Sequence, residues 1–136
     1  MNCTTSIRKV GDVAVVDLNG RFTLADAPGR IRDTVAGALE SGARNILLNL
    51  AEVTLMDSAA GIGELVSSYT SAMRQGGRLK LLHVNRNITH VLQITRLDSI
   101  FEMYDNEDSA VGSFQSFSTR PGLESPAAPP RNLKSV

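Results

Sequence analysis

Residues 46–64 read Ile-Leu-Leu-Asn-Leu-Ala-Glu-Val-Thr-Leu-Met-Asp-Ser-Ala-Ala-Gly-Ile-Gly-Glu, and a change of pattern inside them decides the fold. Ile46, Leu47 and Leu48, with Leu50 after them, form a continuous apolar run of the kind buried on both faces of a sheet. From Ile62 the period becomes helical, with Ile62, Leu65, Val66, Tyr69 and Met73 on one stripe. Asp57 and Ser58 stand where the strand hands over to the helix. A helix start gathers unpaired N–H groups and partial positive charge, so a carboxylate, a hydroxyl or a phosphate is favoured there. The pair reads as an N-cap or as a functional corner. Gly61 followed by Glu64 is a rival cap position, and composition does not choose between them.

Working outward, residues 4–9 form an edge strand and Gly11-Asp12 a turn. Val13 to Leu18 is a better buried strand, so the two make a hairpin that Asn19-Gly20 closes. Asp26 and Pro28 open a helix, the first as capping carboxylate, the second as a first-turn proline. Ile31, Val35, Ala38 and Leu39 are its apolar stripe, and Gly42 sits where a left-handed C-terminal residue is wanted. Gly76-Gly77 stops the second helix, and Arg78 to Val84 is a strand. Asn85 precedes a short amphipathic helix marked by Ile88, Val91, Leu92 and Thr95. Phe101 to Tyr104 is a short strand, and Asn106 to Phe117 is a last helix that opens acidic. Strands alternating with helices after a hairpin predict an α/β fold: a mixed sheet with about four helices packed on it.

With 136 residues and 14 basic against 14 acidic side chains, the chain has the size of one domain and no net charge. There is thus no electrostatic case for nucleic acid or an anionic membrane. Cys3 is the only cysteine, which excludes an intrachain disulfide framework and a thiolate zinc site. The first ten residues lack an apolar signal core, and a cytoplasmic protein is expected. From Ser118 the chain holds Pro121, Pro126, Pro129 and Pro130 and few large apolar residues. We therefore expect a domain over residues 1–117 and a disordered proline-rich tail over 118–136.

Enzyme chemistry finds no support. Gly61-x-Gly63 lacks the third small residue of a dinucleotide fingerprint, since Val66 occupies that place. His83 and His90 have no partner at metal-ligand spacing. Ser58 lies in Met-Asp-Ser-Ala-Ala-Gly and not in a Gly-x-Ser-x-Gly elbow. No catalytic residue, cofactor or metal is expected.

Asn49-Leu50, Met56-Asp57-Ser58, the run Gly61 to Val66, the run Gly76 to Leu82, and Val91 to Leu97 with Ile100-Phe101 together resemble the STAS domain family. Within it, they resemble the bacterial anti-sigma factor antagonists. The resemblance spans roughly residues 5–117. It implies that Ser58 is phosphorylated by an anti-sigma factor that is itself a serine kinase. The unphosphorylated antagonist binds that kinase and frees a sigma factor, and a phosphatase reverses the modification. It also implies a partner-binding surface of Asp57, Ser58, Ala59, Gly61, Gly63 and Glu64 on a monomer or weak dimer. The alternative is an unswitched interaction or scaffold module in which Ser58 is only a cap.

One departure bears on this. The family pattern reads Asp-Ser-Ser/Thr/Ala-Gly, whereas two alanines separate Ser58 from Gly61 here. Aligned from the strand, Ser58 is the phosphoacceptor; aligned from the helix, Ser58 takes the Asp place and Ala59 that of the serine. The strand-side register is preferred, because Asn49 through Asp57 then match and a loop takes an extra residue more readily than a buried strand.

Overall fold

A computed structural model describes residues 3–57 and 61–119. Five strands, β1 (Cys3–Val10), β2 (Val13–Phe22), β3 (Asn45–Met56), β4 (Arg78–Leu82) and β5 (Met103–Tyr104), form one mixed sheet in the order β1-β2-β3-β4-β5. The β1–β2 pair is antiparallel and the remaining pairs are parallel. Four helices, α1 (Arg30–Glu40), α2 (Gly63–Arg74), α3 (Arg86–Ile94) and α4 (Glu107–Thr119), complete the α/β fold read from the sequence.

The apolar run of β3 is buried on both faces as expected. Ile46, Leu48 and Leu50 join Ala14, Val16, Leu18, Leu79 and Leu81 beneath α1, α2 and α3. Leu47 turns the other way, joining Val13, Val15 and Leu82 beneath Ala110, Val111 and Phe114 of α4. Alternation along each strand divides the core this way. Lys80 falls on the α4 face and is buried there. Its ammonium donates to Ser113 Oγ at 2.9 Å, lies 3.2 Å from Glu102 and sits 4.6 Å from the centre of the Phe114 ring. Burial pushes the Lys80 pKa down, with Glu102 opposing.

Several expectations are corrected. Asn19-Gly20 does not close the hairpin, because β2 runs on to Phe22 through two register shifts against β3. β3 itself continues past Leu50 to Met56. Helix α1 does not start on Asp26 and Pro28; it starts at Arg30, behind a left-handed Gly29 with no side-chain cap from its own segment. The Asp26 carboxylate is engaged instead by Arg21 Nε and by the Thr23 hydroxyl, each at 2.9 Å. On α2 the inward positions are Glu64, Leu65, Ser68 and Ala72, while Met73 is 52% exposed. Gly42 beyond α1 is left-handed as foreseen, and Asn85 caps α3 by accepting from Ile88 N–H. α4 extends to Thr119, and the tail expected beyond it lies outside the described residues.

Ser68 is 1% exposed and its hydroxyl has no hydrogen-bond partner among the described residues. A buried hydroxyl without a partner costs about 1–3 kcal/mol. Ser68→Ala is therefore expected to leave urea-unfolding stability unchanged or to raise it by about 1 kcal/mol. A clear loss would show that the hydroxyl has an acceptor.

Candidate functional site

β2 and β3 end side by side, and the corner where β3 turns into α2 lies at that end of the sheet. Asp57 holds it together. Its N–H donates to Phe22 C=O at 3.3 Å, continuing the β2–β3 pairing by one residue. Its carboxylate accepts from Leu24 N–H at 2.9 Å and from Gly61 N–H at 3.2 Å. Its carbonyl accepts from Gly61 N–H at 3.1 Å and Ile62 N–H at 3.0 Å. One half-buried aspartate thus ties the loop after β2 to the first turn of α2. The Ile62-to-Asp57 bond spans one residue more than an α-turn.

The two glycines of the corner serve different ends. A Cβ on Gly61 would run into the Met56 side chain, so the chain passes over Met56 only without one. Gly61 is buried and Gly63 is exposed. Ser58 and Ala59, the expected phosphoacceptor and its neighbour, lie outside the described residues.

Glu64 is the largest departure from the sequence reading. Expected as part of a partner-binding surface, it is 5% exposed. Its Oε2 accepts from Gly29 N–H at 2.6 Å, and its Oε1 accepts from Ile31 and Arg32 N–H at 3.0 and 3.1 Å. A carboxylate there satisfies the free donors of α1 and meets the positive end of its dipole. The cap that α1 lacks locally is supplied by α2. Glu64 is a positioning residue, and it joins the two helices at their N-terminal ends.

Sequence reasoning missed two apolar side chains beside the corner. Leu24, whose N–H is held by Asp57, is 62% exposed, and Leu55 is 44% exposed. The only signal was a lone leucine in a loop and another near a strand end. Among the described residues, no group of three His, Cys, Asp or Glu side chains is placed to hold a metal, and no helix is long and apolar enough to cross a membrane.

The polar corner thus lies on a mixed five-stranded sheet and is flanked by the exposed Leu24 and Leu55. The STAS domain model matches residues 4–110, and the chain belongs to the STAS domain family. It is 26% identical over 111 residues to the anti-sigma-B factor antagonist of Bacillus subtilis (strain 168), covering 82% of this chain and 99% of that protein. The TM1081 homolog of Thermotoga neapolitana is 35% identical over 77 residues, 57% of this chain and 67% of the relative. The solved structure of the Bacillus cell fate determinant SpoIIAA in its phosphorylated form shares the fold. It matches with a TM-score of 0.65 at 22% identity, over 82% of this chain and 99% of that one.

Proposed function

We propose that this chain is an anti-sigma factor antagonist switched by phosphorylation of Ser58. Unmodified, it binds an anti-sigma factor with serine kinase activity and so frees a sigma factor. Phosphorylation by that kinase breaks the complex, and a phosphatase restores the binding form. The protein acts in the cytoplasm as a binding module and not as an enzyme.

The observation that carries this reading is the wide turn from Asp57 to Ile62. Asp57 N–H still pairs with Phe22 C=O while its carbonyl already accepts from Gly61 and Ile62, so Asp57 stands at the strand's end, which supports the register in which Asp57 keeps its place and Ser58 follows it. The exposed leucines support the reading too. Leu24 and Leu55 give the corner apolar contact area, while Asp57 and Gly63 leave it polar and open. Glu64 acts on this surface indirectly, by fixing α1 to α2.

The test is co-purification with a serine-kinase anti-sigma factor from the native cell. The complex should form without nucleotide and dissociate when ATP is added. A complex indifferent to ATP would favour the unswitched module.

A further inference from the structure

The sheet ends in two unlike edges. β5 contributes only Met103 and Tyr104, whereas β1 is eight residues long and pairs with β2 without a register break. Among the described residues no strand covers the outer side of β1. Alternate residues of such a strand turn N–H and C=O groups outward, and that row is a template for another strand.

The side chains leave the template open. Arg8 carries a charge that would ordinarily guard an edge, but it is drawn to the α4 face. There Asp17 and Glu107 each approach it at 2.6 Å and hold its pKa up. On the other face Thr5 bonds Thr34 of α1, and Ile7, opposite Val16, is 46% exposed. One turn beyond Thr34, α1 carries exposed Ala36 and Gly37, and a Cβ added at Gly37 meets nothing within 4 Å. No bulky side chain of that turn guards the edge.

We propose that β1 is the interface of a homodimer, in which two copies pair antiparallel about a two-fold axis at Ile7 and form one continuous ten-stranded sheet. This rests on the edge alone, independently of the Ser58 reading. In that register Ile7 faces Ile7 of the partner subunit, Thr5 faces Lys9 of the partner subunit, and Ser6 faces Arg8 of the partner subunit. The strand is thereby complementary to itself: the exposed isoleucines cover each other, no like charges stand directly opposite, and the two Arg8 side chains, two positions or roughly 7 Å apart, are each offset by Asp17 and Glu107. The two Lys9 side chains lie four positions apart, roughly 14 Å at strand spacing. That exceeds the screening length of about 8 Å at physiological salt. Pairing of β1 with the other edge is limited to the two residues of β5, so a closed two-fold contact is favoured over an open chain.

The test uses the full chain. Sedimentation across micromolar to millimolar concentrations should show a monomer–dimer equilibrium. Ile7→Lys should abolish the dimer while far-ultraviolet circular dichroism and, at concentrations where the parent is monomeric, the unfolding midpoint stay as in the parent. Met73→Lys, equally exposed but on α2, should leave the dimer intact. The register is checked by oxidation with diamide, which takes two electrons and two protons from a pair of thiols as the disulfide forms. Directly opposed residues have Cα atoms about 4.5–5.5 Å apart, within disulfide span. Ile7→Cys should therefore give a covalent dimer and Thr4→Cys none. A monomer at every concentration, a dimer that survives Ile7→Lys, or equal cross-linking at the two positions would overturn the proposal.

Discussion

Glu64→Ala is expected to destabilise the domain by about 3–5 kcal/mol, as much as emptying a core position. The carboxylate accepts from Gly29, Ile31 and Arg32, and it does so in a site from which water is largely excluded. Hydrogen bonds to a charged group contribute roughly 1.5–3 kcal/mol each, and each stranded donor carries a desolvation cost of about 1–3 kcal/mol. Relaxation and an entering water recover part of the sum. Leu65→Ala on the same helix removes a fully buried side chain and falls in the same range, about 2–5 kcal/mol. Glu64→Gln keeps one acceptor oxygen and should lose only about 1–2 kcal/mol. Urea unfolding of the three variants checks the order. A Glu64→Ala domain within about 0.5 kcal/mol of the parent, as for ordinary surface changes, would show that α1 finds its cap elsewhere.

That result separates what the sequence displays from what it hides. The apolar run of β3, the stripe of α1 and the Asn85 cap of α3 are local patterns, and each appears where the residues announce it. Glu64 was misplaced because its partners lie more than thirty residues earlier in the chain. A carboxylate in a first helical turn looks the same whether it faces water or another helix's N–H groups. Asp26 erred in the opposite sense: the right residue type before a helix, it is committed to Arg21 and Thr23. At the corner, Asp57 was legible as a residue that bonds free N–H groups, but its hold on Leu24 across the sheet was not. The exposed Leu24 and Leu55 carry no pattern, since a solitary leucine does not show which way it faces and a single exposed leucine is ordinary.

The second large effect is on binding and not on folding. Ser58→Asp is expected to unfold like the parent and to bind the kinase anti-sigma factor more than about a hundredfold more weakly, a loss of about 3 kcal/mol. The corner offers half-buried Asp57 and exposed leucines. A partner surface fitted to a small neutral hydroxyl beside them would have to desolvate a charge. A phosphoserine brings roughly −1.5 to −2 charges at neutral pH and three acceptor oxygens, so its effect should exceed that of the aspartate. Such a charge should leave the fold intact, because a helix start in general offers N–H groups and the positive dipole end. Ser58→Ala should bind at parental strength and be blind to ATP. Titration calorimetry with the purified kinase distinguishes the variants. Equal affinity for Ser58→Asp and Ser58→Ala would place Ser58 outside the contact.

Peptide mapping of the full chain after incubation with its kinase and ATP tests the switch most directly. Modification at the β3–α2 corner is expected, with a single phosphate on Ser58 and none after Ser58→Ala. Phosphate on another serine, or no phosphate with a kinase that demonstrably binds, would contradict the switch and leave an unswitched interaction module.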